Sequence, residues 1–286
     1  MKEKVRINDF SKKELPNNRR ELFRDILFNH TFSVVNTSLL TTLFFIPLIA
    51  VFIVFYNMLA NASNNSEPFN VLFSLLFYGS LIAIPPLILA FLGVSAAYGV
   101  AKRLAWGEGL MLLVHFLSAL KSELKKTFLM SIIIALSTFA LVVGGVYLST
   151  FYVNAPVATG IGIGILVVQF LLVVMSGCYF FAYIHVYQNT FGQALKNCFL
   201  IATVRLPISL LFIIISPGIV LALVAVHYIA AFIAIFFFVI FSFVGIFLWT
   251  LLSHSSFDKF INQEHHPAYV KRGLYVEQIK KEEEVG

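Results

Sequence analysis

The residues able to do chemistry in this chain stand far apart, and their spacing excludes more than it assigns. No Asp, Glu, Lys or Arg lies between Asp25 and Glu67, Glu67 and Lys102, Lys126 and Lys196, or Arg205 and Asp258. Ion-coupled carriers and proton pumps place ionisable groups within the bilayer, where charge is costly and so marks function. Coupling through a buried carboxylate is therefore not expected. Intramembrane proteolysis fares no better, since paired aspartates, an H-E-x-x-H helix and a facing Ser/His arrangement are all missing. The 7 histidines are scattered, and Cys178 and Cys198 are too few and too isolated for a disulfide framework or a metal set. His265–His266 precedes Pro267 in a polar tail, as a solvated turn does. The chain is expected to be no enzyme, with no cofactor and no metal.

Neutral polar residues are the remaining candidates. Gln169 is the only side-chain amide deep within an apolar stretch. A buried amide needs a partner, either on a neighbouring helix or in a polar cavity. Asn36, Thr37, Ser38, Thr41 and Thr42 cluster near the inner end of the first apolar segment. Packing is their usual use; lining a cavity, with Gln169, Thr41 and Thr42 as its candidates, is the alternative. Gly160 and Gly164 form G-x-x-x-G, which lets helix backbones approach closely, within the molecule or between copies.

These residues must be positioned by membrane helices. The chain is 59% apolar and 12% charged, against roughly 25% charge in a soluble domain. Six segments long enough to span a bilayer are predicted at about 32–56, 71–101, 127–152, 157–184, 207–226 and 229–252. Pro85–Pro86 should kink or break the second, and Pro217–Gly218 should bend the fifth. A seventh or re-entrant pass is the alternative near 226–229. All 20 Lys and Arg residues fall in four segments: eight in 1–31, five in 102–126, two in 185–206 and five in the tail. The alternate connections hold none, so both termini are expected to be cytoplasmic.

The predicted fold is all-α: a polytopic membrane protein of six transmembrane helices with short cytoplasmic amphipathic helices. Residues 1–31 form a basic N-terminal segment, 32–253 the membrane domain and 254–286 a charged tail. No short apolar stretch with a cleavage site precedes residue 32, so the first span is expected to act as a retained targeting signal. The net charge of +6 brackets spans rather than forming a basic-aromatic module, which argues against nucleic acid. The Asn-x-Ser matches at Asn61 and Asn64 are read as chance in an Asn-rich loop.

One pattern recurs. Phe116-Leu-Ser-Ala-Leu-Lys121 and Phe191-Gly-Gln-Ala-Leu-Lys196 share F-x-x-A-L-K at an offset of 75 residues, with a fainter echo in Phe23-Arg-Asp-Ile-Leu27. In 110–126, Leu113, Leu117, Leu120 and Leu124 follow one helical face while Ser118, Lys121, Ser122 and Lys125 follow another. Such a helix suits the headgroup region. Two readings stand: a solvated elbow between spans, or a docking surface formed by Phe116, Lys121, Phe191 and Lys196 for a cytoplasmic or membrane partner. Nothing in the pattern sets an oligomeric state.

Ala96-Ala97-Tyr98 with Val100, then Glu108, Phe116, Lys121 and Lys125–Lys126, resembles the central segment of the YesL family of bacterial membrane proteins. Ala194-Leu195-Lys196-Asn197 and Phe257-Asp-Lys-Phe-Ile261 extend the resemblance over most of 30–275, while the long charged N-terminal segment departs from it. The resemblance implies a multi-pass cell-membrane protein of Gram-positive type, encoded near carbohydrate-utilisation and sugar-uptake systems. The family's molecular function is not established, and it supplies no catalytic residues. The function expected is accessory to transport or sensing. The alternative is a transport pore or permease subunit energised by a separate ATPase, on the strength of six spans and an elbow ending in Leu206–Pro207.

Overall fold

A computed structural model describes residues 16–64, 69–152, 154–213 and 228–274. The elements are α1 (Arg19–Asn29), α2 (Thr31–Asn64), α3 (Phe69–Ala105), α4 (Leu112–Ser122), α5 (Leu124–Phe151), α6 (Pro156–Ile184), α7 (Phe191–Val204), α8 (Leu206–Ile213) and α9 (Tyr228–Phe257). A π-helical turn at Asp258–Asn262 and a short 3-10 turn at Pro267–Tyr269 follow α9. No strand occurs among the described residues. Five helices are long and apolar enough to cross a membrane, or six if the bent pair α7–α8 counts as one span. The chain therefore has the helices of a polytopic membrane protein. The fifth expected span begins as α8, and its continuation over 214–227, with Pro217–Gly218, lies outside the described residues.

Two boundaries differ from expectation. The first span runs on to Asn64, because the polar stretch after Tyr56 keeps helix-forming Leu and Ala and Asn57 Nδ2 donates to the Ile53 carbonyl at 2.9 Å. Asn61 is thus helical rather than in a loop. Pro85–Pro86 does not interrupt α3, which is helical throughout. Two missing N–H groups forfeit two ladder bonds, but unbroken turns on either side hold the helix, as membrane helices allow.

The bundle packs through small residues. α3 lies between α2 and α5, α5 against α6, and α9 against α2, α3 and α6. Gly177 admits Ile134 and Gly93 admits Phe44; an added Cβ would meet those side chains at 2.7 and 2.6 Å. Lipid is as apolar as leucine, so close van der Waals contact and interhelical hydrogen bonds, rather than the hydrophobic effect, drive this association. Ser38 Oγ accepts from the Phe243 backbone N–H at 3.1 Å, tying α2 to α9. At one end Phe69, Phe73, Tyr147 and Phe151 form an aromatic cluster, of the kind found at a membrane–water boundary.

The opposite end gathers all four basic segments. Arg19 of α1 pairs with Asp258 at 2.8 Å, Glu108 pairs with Arg272 at 3.5 Å, and Tyr187 donates to Asn262. The N-terminal helix, the α3–α4 connection, the α6–α7 connection and the tail therefore meet there. This convergence is what the distribution of cations requires.

Candidate functional site

Three helices at the basic end share one design. α1, α4 and α7 are each amphipathic, and each passes into an apolar helix through a single residue: α2 and α5, which are long enough to cross a membrane, and the eight-residue α8. The three hinge residues adopt almost the same backbone: His30 at φ −117°, ψ 27°, Glu123 at φ −114°, ψ 18°, and Arg205 at φ −99°, ψ 17°. All sit near the sparsely allowed bridge region. Each hinge carbonyl accepts the first backbone bond of the helix that follows, from Val34, Thr127 and Ser209 at 3.0, 2.9 and 2.9 Å. Those three residues are buried. At the third hinge the chain turns through 90°.

The recurring sequence pattern maps onto this design. Phe116 is 2% exposed and its ring lies 6.0 Å from that of Phe44; Phe191 packs edge-on against Phe180 at 5.3 Å. Ala194 is buried, and Ala119 fills the space left by Gly99, where an added Cβ would stand 2.4 Å from it. Leu120 and Leu195 pack on the core. Lys121 and Lys196 are exposed and make no ion pair among the described residues. The pattern thus anchors with F, A and L and exposes K. Phe116 cannot meet a partner, which corrects its place on a docking surface; Phe191 is mostly committed to Phe180.

Of the leucine stripe of 110–126, Leu113, Leu117 and Leu124 are exposed, where lipid can cover them, and Leu120 packs on the core. One finer expectation changes: 110–126 is not one helix, since it breaks at Glu123. The hinges Glu123 and Arg205 stand 82 residues apart, seven more than the sequence offset. Seven residues are two helical turns, so the faces agree although the register does not.

The proposed cavity residues are not brought together. Thr41 and Thr42 are buried, and their hydroxyls donate to the Thr37 and Ser38 carbonyls of their own helix at 2.7 and 2.9 Å. Thr42 lines an apolar groove of about 730 Å³ between α2, α4 and α9, which neither Thr41 nor Gln169 reaches. Gln169 is exposed on the outside of α6, not buried against a neighbouring helix. Gly160 and Gly164 face open space, so neither admits another helix among the described residues.

Sequence reasoning missed a polar cluster that closes the basic end. Asp258 holds Arg19 through one carboxylate oxygen and accepts from Asn262 Nδ2 at 2.8 Å through the other; Asn262 in turn accepts from Tyr187. Burial holds the Tyr187 phenol well above its usual range, so it remains a donor. Tyr183 Oη accepts from Asn189 and Asn197 at 2.6 and 3.1 Å. Lys102 Nζ and the Arg272 guanidinium lie 3.9 and 4.0 Å from the Trp106 ring centre, close enough for cation–π attraction. Gly273, at φ 87°, lets the tail reach the Ala105 carbonyl, 2.0 Å from where a Cβ would stand. Residues from five separate segments make this cluster, and no local spacing announces it. Among the described residues no group of three His, Cys, Asp or Glu side chains could hold a metal.

His185 links this end to the bundle. Its Nε2–H donates to the Ser95 carbonyl at 2.7 Å, and Ser95 Oγ pairs with Thr127 Oγ1 at 2.9 Å. Burial, with Lys102 and Lys126 adding to it, lowers its pKa from 6.5 to about 4. Below pH 6.5 the unfolded chain takes up a proton that the folded chain refuses. Stability is therefore lost as pH falls from about 6.5 to about 4. Thermal unfolding in detergent should show this decline, and His185→Gln should flatten it.

The chain matches no family model, no curated protein and no solved structure. The geometry of the basic end is thus what a functional reading has to rest on.

Proposed function

We propose that this is a non-enzymatic protein of a bacterial cell membrane, with both termini cytoplasmic, whose elbow-bearing end docks a protein partner in transport or sensing. One observation supports the reading most. Both F-x-x-A-L-K copies use their apolar positions as anchors and leave their single cation exposed, with no ion pair among the described residues. The YesL resemblance, which covers the same elbows, points to carbohydrate uptake as the setting.

The anchors and the cations can be separated experimentally. Reversing Lys121→Glu and Lys196→Glu together should shift stability by no more than about 0.5 kcal/mol per site. Photo-crosslinks from exposed Ser118 to the partner should be lost, along with sugar-dependent growth. If crosslinks and growth both persist while the variant stays at its normal membrane level, the docking reading fails.

A second reading, a permease subunit driven by a separate ATPase, draws on the 90° turn between α7 and α8. That elbow places an exposed helix beside a span, as an energy-coupling contact needs. Co-purification of a nucleotide-binding subunit whose hold depends on α7 would favour it over an accessory role.

A further inference from the structure

α1 carries a gradient along one face. Arg20, Arg24 and Phe28 recur every four residues, so two guanidinium groups and then an aromatic ring line up towards the start of α2. Phe28 is 72% exposed. Beneath them lies a groove of about 530 Å³ between α1, α8 and α9. Its floor is apolar, with Phe23, Leu27, Phe212 and Leu248 among its residues, and its rim holds Arg19, Arg20 and Arg24. The volume falls within the usual range for ligand sites, about 300–1,000 Å³.

Two of the three rim charges have no ionic partner among the described residues. Arg20 and Arg24 make no ion pair among the described residues. Arg19 is held by Asp258 through its Nη2 at 2.8 Å. The floor descends from the polar end along α9, a helix long and apolar enough to span the membrane. An acceptor for cations above, joined to an apolar tail below, is an amphiphilic anion.

We propose that this groove binds an anionic phospholipid of the surrounding leaflet. The phosphate lies against Arg20 and Arg24, and one acyl chain lies over Phe23 and Leu248. Guanidinium groups suit this role because they present several donors in a plane to phosphate oxygens. The bound lipid would also hold α1 against α9 and so steady the first elbow.

The test uses the full chain in nanodiscs and in detergent, with phosphatidylglycerol and phosphatidylcholine as probes. Native mass spectrometry should show phosphatidylglycerol retained on the order of tenfold more strongly than phosphatidylcholine. The R20Q/R24Q variant should lose that preference, and added salt should weaken it. Leu248→Trp, which fills the floor and keeps the arginines, should reduce retention of phosphatidylglycerol. Inorganic phosphate should not displace the lipid, since it lacks the chain. Equal retention of both lipids overturns the proposal, as does a preference that survives in R20Q/R24Q. Displacement by phosphate alone, or full retention in Leu248→Trp, shows a phosphate site instead and overturns it equally.

Discussion

Phe116→Ala will destabilise the bundle by about 3–5 kcal/mol, the range for truncating a fully buried phenylalanine. The ring is 2% exposed, sits against Phe44 and belongs to the core shared by α3, α6 and α9. Removing it leaves a cavity under α4, because the neighbouring Gly99–Ala119 contact already fixes how close α4 lies to α3. Part of the cost of a lost ring comes from hydration, and part from contacts and void. The second part persists where lipid replaces water. Thermal unfolding in a mild detergent will register the loss, while Lys121→Ala, five residues further on, will leave the midpoint nearly unchanged. A four-residue replacement of Phe116, Lys121, Phe191 and Lys196 would confound these effects. The anchors would fail before docking could be judged.

Asp258→Ala comes next, at about 3 kcal/mol, the cost of breaking a largely buried pair by deleting one partner. Arg19 and Asp258 are 18% and 15% exposed, so the remaining guanidinium stays mostly dehydrated and unneutralised. The substitution also strips Asn262 Nδ2 of its acceptor and loosens the residue that Tyr187 binds. α1, the α6–α7 connection and the tail should then separate together, and limited proteolysis should cut near α1 first. Replacing both partners, Arg19→Leu with Asp258→Leu, should cost less than Asp258→Ala alone, since no buried charge is left behind. If the double replacement is the worse of the two, the pair contributes by geometry rather than by neutralisation.

Much of the fold was legible in the sequence. α5 begins three residues before its expected start and α6 one residue before, because charged or proline-bearing ends bound both apolar runs. The meeting of the basic segments at one end was implied by the cations themselves. The first elbow was harder to read: Arg19–Asn29 is polar on average, and only Leu22 and Ile26 are buried. Its helix is set by Asn18, whose side chain accepts from the Arg20 and Glu21 N–H groups at 3.0 and 2.9 Å, in a capping arrangement closed by Glu21. The hinges were hidden altogether, since His30, Glu123 and Arg205 share a backbone conformation but no side-chain chemistry. Gln169 misled because an isolated amide in an apolar run looks buried whichever way the helix turns. Only the packing of α6 against α5 decides that it faces outward.

The Arg19–Asp258 pair joins positions 239 residues apart. A ribosome releases the chain from its beginning, so the first helix is made long before its anchor exists. During synthesis α1 must wait at the membrane surface, and its docking can complete only after the final span has emerged. Closure of this end therefore reports that the chain as far as Asp258 has been made and inserted. A product truncated before Asp258 would leave a loose, arginine-bearing helix for quality-control proteases to find.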